Sequence, residues 1–313
     1  MIRPWNADPS AEFRQGLLDA SCKGDIRRVH ALFEILKEED MAESSLYYCL
    51  LTETARNGQA DVLRYLFDTL SDCLRPLPWK TYNYQFCLPF NYHEDNLHGD
   101  NHTSYSGLNV LLYALEGTDP PAIINALLDY GLTGNHDLNS DMSLLYKAVE
   151  MKKHDVVKLL LDHGADINRQ KPELVLIKAI RSDDPDMVSL LVKHGAFTEE
   201  SNAFEYALTN RRIRSVTRLL ELGADINDTF AMRRNRNGDL SKVRAGTPLH
   251  RVIMARPKQP EATCSLEEMV RFLLVKGANA DIVNITGKTP LQVARQRKRK
   301  EVIKIFKEFG VKK

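Results

Sequence analysis

The stretch Val156-Val157-Lys158-Leu159-Leu160-Leu161-Asp162-His163-Gly164-Ala165-Asp166-Ile167-Asn168 decides how this chain folds. Its apolar residues recur at the three- and four-residue spacing of a helix with one buried face. The run then stops at a glycine. Helices commonly end in a left-handed residue, a conformation glycine adopts without steric penalty. The arrangement recurs twice: Val216-Thr217-Arg218-Leu219-Leu220-Glu221-Leu222 leads into Gly223-Ala224-Asp225-Ile226-Asn227, and Met269-Val270-Arg271-Phe272-Leu273-Leu274-Val275-Lys276 leads into Gly277-Ala278-Asn279-Ala280-Asp281. Gly131, Gly195 and Gly310 are comparable stops. The step from Gly131 to Gly164 matches a repeat period of about 33 residues.

Further along, Thr247-Pro248-Leu249-His250 and Thr289-Pro290-Leu291-Gln292 each predict a helix start. Threonine is the N-cap, and proline stands at the first helical position, where its missing N–H has no partner to lose. These starts and glycine stops, recurring in register, resemble the T-P-L-H opening and G-A-D-I-N closing of ankyrin repeats. The resemblance implies an all-α ankyrin-repeat solenoid of about eight stacked helix-turn-helix units with long inter-unit turns.

The first two units are marked by Ala20-Ser21-Cys22-Lys23-Gly24-Asp25 and Ala55-Arg56-Asn57-Gly58-Gln59-Ala60-Asp61-Val62. The rest run over Leu111–Gly131, Ser143–Asn168, Leu174–Ala196, Ala203–Asn227, Thr247–Asp281 and Thr289–Gly310. The expected organisation is an N-terminal tail over 1–10, degenerate repeats one and two over 11–70, an aromatic-rich insertion over 71–107, and repeats three to eight over 108–313. A basic insertion at 228–246 interrupts the last of these segments.

Composition agrees with a folded chain. Hydrophobic residues make up 43% and charged residues 27% of 313, away from disordered and collagen-like mixtures. The N-terminus has no apolar signal region, and no run is long and apolar enough for a bilayer span. The expected location is therefore the nucleus, the cytoplasm or both. Cys22, Cys49, Cys73, Cys87 and Cys264 are scattered, without the paired spacing of a zinc site, and are expected to be reduced. The net charge of +1 gives no global field toward nucleic acid or membrane.

What the resemblance implies about function is protein binding, through the ends of first helices and the turns between units. The residues at those places are Glu150, Met151, Arg181, Ser182, Thr209, Asn210, Met254 and Arg256, with Arg169, Gln170, Asn284 and Thr286 in the inter-unit turns. Ordinary solvated surface is the competing reading for any one of them.

The interruptions carry more information. The 71–107 segment holds Trp79, Tyr82, Tyr84, Phe86, Phe90, Tyr92 and Tyr105, against 8% aromatics overall. Packing on the flank of the stack is preferred for it, and partner binding through Trp79, Tyr82 and Tyr84 is the alternative. His93, His98 and His102 near Cys73 and Cys87 invite a metal reading, but Gly99-Asp100-Asn101 is turn-forming and no H-E-x-x-H occurs, so no metal or other cofactor is expected. Arg233, Arg234 and Arg236 in the basic insertion suit an acidic partner surface, or simply a solvated loop. Arg295, Arg297, Lys298, Arg299 and Lys300 resemble a nuclear-localisation signal, and a solvated cap face accounts for them equally well.

No nucleophile, phosphate-loop or dinucleotide motif occurs, so the chain is expected not to be an enzyme. His163 and His194 stand just before terminating glycines, where a capping role outweighs a catalytic one. The expected partner is another protein, with no direct nucleic-acid contact, no membrane and a monomeric chain. The leading functional reading is a regulatory interaction module such as a transcriptional coregulator. A cytosolic adaptor or enzyme inhibitor is the alternative, and an undetected enzyme or accessory protein of a biosynthetic pathway is a third.

Overall fold

The computed structural model describes residues 9–38, 44–70, 108–139, 142–169, 173–198, 202–229, 233–234, 240–241, 246–255 and 262–311. Among these residues it contains sixteen α-helices and two short antiparallel hairpins. The chain divides into two compact units, Met1–Asp166 and Ile167–Lys313.

The first unit holds α1 (Pro9–Lys23), α2 (Ile26–Glu38), α3 (Ser44–Arg56), α4 (Ala60–Leu70), α5 (Leu108–Glu116) and α6 (Pro120–Asp129), then the strands β1 (Asp137–Asn139) and β2 (Met142–Ser143), then α7 (Leu144–Glu150) and α8 (His154–Asp162). The second holds α9 (Glu173–Arg181), α10 (Pro185–Lys193), α11 (Ala203–Thr209), α12 (Ile213–Glu221), the strands β3 (Arg233–Arg234) and β4 (Leu240–Ser241), α13 (Pro248–Met254), α14 (Leu266–Val275), α15 (Pro290–Gln296) and α16 (Lys300–Glu308).

Each odd-numbered helix packs against the even-numbered helix that follows it. Helices of like kind then stack: α1 on α3 and α3 on α5 in the first unit, α9 on α11, α11 on α13 and α13 on α15 in the second. The core of each unit lies in these layers. Leu50, Leu51, Leu63, Leu111 and Leu115 are fully buried in the first, and Leu176, Leu208, Leu249, Leu273, Leu291 and Phe306 in the second. Each such side chain stabilises its unit by about 1.5–3 kcal/mol relative to exposure, so no pair could hold its fold without a neighbour to cover it.

The second helix of a pair ends as the sequence predicts. At the end of α8, Gly164 takes φ +78°. Its N–H donates to the Leu161 carbonyl at 3.0 Å, and the Ala165 N–H reaches the Leu160 carbonyl at 3.0 Å. This doubled closure satisfies two carbonyls that a helix end otherwise leaves open. Gly131, Gly195, Gly223, Gly277 and Gly310 share the positive φ. His163 and His194 are the C-cap residues of α8 and α10, and His163 Nδ1 lies 2.8 Å from the Leu159 carbonyl, in agreement with the capping role.

Several helix starts are closed by side chains, though α8, α11, α12 and α16 have no side-chain cap. Thr289 and Gln292 exchange hydrogen bonds as a capping box at the head of α15. Ser265 and Glu268 do the same at α14, and the hydrogen bonds from Ser265 hold the Glu268 carboxyl below its ordinary range.

The sequence motif at the head of α13 reaches further. His250 Nδ1 accepts the Thr247 N–H at 3.1 Å, which leaves the proton on Nε2 to donate to the Lys288 carbonyl at 2.9 Å. One imidazole thereby closes its own helix start and anchors the turn ahead of the next pair. Burial, aided by the Arg251 charge, lowers the His250 pKa against the opposing Lys288 hydrogen bond, so the ring favours the neutral form that this geometry requires.

Candidate partner-binding surface

The ends of the first helices behave differently from the ends of the second. At the close of α7 the chain turns through Lys152 with φ +57°, and the Lys152 and Lys153 N–H groups donate to the Val149 and Ala148 carbonyls at 3.1 and 3.0 Å. The hydrogen-bond pattern is that of Gly164, but the left-handed residue carries a long charged side chain. Arg211 after α11 and Lys298 after α15 repeat this, with φ +53° and +55°. A left-handed residue with a Cβ costs roughly 1–2 kcal/mol, so each turn retains a cation against backbone strain.

Asp183, at φ +50° after α9, is a different case. It is buried, and its Oδ1 accepts the Ser215 N–H at 2.9 Å and the Ser215 hydroxyl at 2.8 Å, tying the α9 turn to α12. Its left-handed backbone serves the stack.

Most positions expected to meet a partner lie one or two residues before these turns, whereas Met254 precedes the extended Ala255 and Arg169 lies ahead of α9. Glu150, the last residue of α7, pairs with Lys147 at 2.9 Å, and Met151 is the half-buried C-cap. Arg181 closes α9 and is exposed, and Arg169 is exposed ahead of that helix. The Ser182 hydroxyl donates to the Ala179 carbonyl at 2.9 Å, Thr209 to the Glu205 carbonyl at 2.9 Å, and the Asn210 amide to the Tyr206 carbonyl at 2.9 Å. Those polar groups finish helix ends. Met254 is half-buried at the end of α13.

Arg233 and Arg234 form β3, opposite Ser241 and Leu240 of β4. Arg236, Arg256, Gln170, Trp79, Tyr82 and Tyr84 lie outside the described residues, as do the histidines and cysteines of the 71–107 segment. The basic run is folded: Arg295 belongs to α15, Arg297 is its C-cap, Arg299 caps α16 and Lys300 begins it. Arg295, Arg297, Lys298 and Lys300 are exposed, and Arg299 is partly buried.

One expected turn residue is corrected. Asn284 is buried, with 9% exposure, because its carboxamide oxygen is the hub of its own turn. It accepts from the Thr286 N–H, the Thr286 hydroxyl and the Lys288 N–H at 2.9, 2.7 and 3.1 Å. Thr286 stays exposed but gives its hydroxyl proton to this oxygen.

Sequence reasoning also passed over a buried ion pair, Arg251 of α13 with Glu205 of α11 at 3.0 Å, their side chains only 8% and 4% exposed. The signal for it was a glutamate on the apolar face of Ala203-Phe204-Glu205-Tyr206-Ala207-Leu208, at the place where α13 has His250.

Among the described residues there is no grouping of three or more His, Cys, Asp or Glu able to hold a metal ion, and no helix long and apolar enough to cross a membrane. Cys264 is half-buried with its thiol pushed up to about 11, chiefly by burial.

The family model for ankyrin repeats, in three copies, matches residues 79–171. Among solved structures the chain is similar to the ankyrin repeat domain of Bcl-3, a unique member of the IkappaB protein family, at 22% identity over 93% of this chain and 97% of that one, with a TM-score of 0.41. It is similar to the human ASB11 ankyrin repeat domain at 19% identity over 82% and 96%, with a TM-score of 0.48. An ankyrin repeat domain from Acinetobacter baumannii AYE matches at 21% identity over 64% and 97%, with a TM-score of 0.47. No curated protein matches the sequence.

Proposed function

We propose, for a chain that belongs to the ankyrin-repeat family, that it is a regulatory protein-binding module whose partner is held at the ends of first helices and the turns that follow them. Ankyrin repeats are protein–protein interaction modules. The observation that carries the assignment to these turns is the left-handed backbone at Lys152, Arg211 and Lys298. Glycine would relieve the strain there, yet each turn carries a cation, exposed at Lys152 and Lys298 and half-buried with its Nε enclosed at Arg211, and strain retained at exposed side chains points to use. The neighbouring Glu150, Met151, Arg181, Ser182, Thr209, Asn210 and Met254, the inter-unit Arg169, and Arg233 and Arg234 of the hairpin supply the remaining contacts, with Arg236, Arg256, Trp79, Tyr82 and Tyr84 adding to them.

The test is a partner pull-down followed by binding measurements on the purified pair, with Lys152→Gly and Arg211→Gly variants. Glycine fits both backbones, and the thermal midpoint of each variant reports whether the half-buried Arg211 side chain also packs. Affinity should fall about tenfold with stability equal or higher, and unchanged affinity in both variants sinks the assignment.

The finer reading is a transcriptional coregulator acting in the nucleus, supported by the exposed cations of the Arg295–Lys300 run. Changing Lys298, Arg299 and Lys300 to Ala in a fluorescently tagged chain should abolish nuclear accumulation. The second reading, a cytosolic adaptor or enzyme inhibitor, is favoured by the hydrogen bonds that fold the run: Lys298 N–H to the Arg295 carbonyl and Arg299 N–H to the Ala294 carbonyl, both 3.0 Å. An unchanged distribution of the tagged variant selects it.

A further inference from the structure

The turn between α14 and α15 displays apolar side chains on a rigid support. Val283 and Ile285 are 51% and 58% exposed, on either side of buried Asn284. Ile285 stands at the first corner of the turn that the Gly287 N–H closes onto the Asn284 carbonyl, so Val283 and Ile285 flank buried Asn284 with both side chains open to solvent. The support is closed by hydrogen bonds. Asn284 N–H donates to the Lys288 carbonyl at 2.9 Å, Gly287 N–H to the Asn284 carbonyl at 2.8 Å, and the Asn284 oxygen collects the donors of Thr286 and Lys288 described above. His250 fixes the same Lys288 carbonyl from the preceding pair. Little conformational freedom is left in this turn for a partner to remove on binding.

Cations lie beyond this apolar pair, at the end of α15. Lys288 Nζ donates to Gln296 Oε1 at 2.9 Å, which ties the base of the turn to the end of α15. There Arg295, Arg297 and Lys298 are exposed. Between Ile282 and Lys300 the sequence has no aspartate or glutamate; the nearest are Asp281 and Glu301 at its two edges.

We propose that the Asn284 turn and the exposed end of α15 form a docking surface for an acidic amphipathic segment of a partner protein. Apolar side chains of that segment cover Val283 and Ile285 while its carboxylates face Arg295, Arg297 and Lys298. The proposal rests on the protein-binding reading above and specifies the chemistry of one contact within it. A second copy of this chain fits poorly, because a two-fold contact sets the same patch against itself and its cations against each other. Nucleic acid would engage the cations and leave the apolar pair uncovered.

The experiment uses the full chain and a labelled synthetic peptide that alternates leucine with aspartate or glutamate, read by fluorescence anisotropy. One control peptide replaces leucine by serine, and the other replaces the acids by their amides. The parent peptide should bind, each control at least about tenfold more weakly. Val283→Ser with Ile285→Ser, and separately Arg295→Gln with Lys298→Gln, should each weaken the parent peptide about tenfold with an unchanged thermal midpoint.

Absence of binding overturns the proposal, as does binding indifferent to Val283 and Ile285. Equal binding of the acidic serine peptide, or displacement by duplex DNA at equal strength, reassigns the surface to polyanions. Concentration-dependent self-association lost in the serine double variant reassigns it to a second copy. If the peptide fails while the native partner still depends on Lys152 and Arg211, only this contact is wrong; if the partner ignores those two residues, the broader reading fails independently.

Discussion

The two turns of a helix pair share one hydrogen-bond pattern and differ in what they tolerate. Where a second helix ends, the left-handed residue is glycine, and a Cβ added at Gly164, Gly223 or Gly277 would meet nothing within 4 Å. Glycine is there for its backbone alone. Where a first helix ends in a left-handed residue, that residue is Gly24, Gly58, Lys152, Asp183, Arg211 or Lys298, whereas neither Gly117 after α5 nor Ala255 after α13 is left-handed. At Gly58 a Cβ would stand 2.5 Å from Thr118 Oγ1 and 3.0 Å from the Asp119 backbone nitrogen, so the next pair leaves no room for it. The inner turn is thus a junction between pairs at Gly24 and Gly58, a buried acceptor at Asp183, and a mount for a cation at Lys152, Arg211 and Lys298. The outer turn stops a helix and, at Gly164 and Gly195, its carbonyl also accepts from the Asn135 and Asn168 side chains of the preceding turn, at 3.2 and 2.8 Å.

The largest expected effect separates backbone from space. Gly58→Ala should destabilise by about 2–5 kcal/mol, the sum of left-handed strain and overpacking, whereas Gly164→Ala should lose only about 1–2 kcal/mol. Chemical denaturation of the full chain followed by circular dichroism measures both. Equal losses would erase the distinction between crowded and open turns.

A somewhat smaller loss is expected at the buried acceptor. Asp183→Ala leaves the Ser215 N–H and hydroxyl without their partner and should lower stability by roughly 2–3 kcal/mol. Asp183→Asn keeps an acceptor oxygen and tolerates the left-handed backbone, so it should recover most of that. An asparagine variant as unstable as the alanine one would show that the negative charge, rather than the hydrogen bonds, is what matters.

The smallest effect has the opposite sign. Lys298→Gly should stabilise by about 0.5–1 kcal/mol, because relief of the left-handed strain exceeds the extra entropy that glycine loses on folding. A loss of stability instead would mean that the lysine side chain holds the fold, and would remove the ground for reading these turns as functional.

The two kinds of turn were unequally legible in the sequence. Gly164, Gly223 and Gly277, with Thr247-Pro248 and Thr289-Pro290, are signals carried within a few residues of the helix ends they specify. The left-handed turns at Lys152, Arg211 and Lys298 carry no such mark, since lysine and arginine are ordinary helix residues, and the residues expected to meet a partner were chosen just before them. Asn284 was misread for a related reason: asparagine in a polar turn looks solvent-facing until its three donors are in place.

What the amino-acid sequence determined by itself was therefore the glycine-stopped and Thr-Pro-started helix ends and the apolar faces between them, because capping, left-handed glycine stops and apolar periodicity act over one or two turns of chain. Only the tertiary structure decided that Asp183 would meet Ser215, that Glu205 would be buried against Arg251, and that Val283 and Ile285 would be left outside. Those outcomes depend on the register in which one helix pair stacks on the next, joining residues 32 and 46 positions apart in the two buried contacts, a separation over which no local pattern specifies a partner.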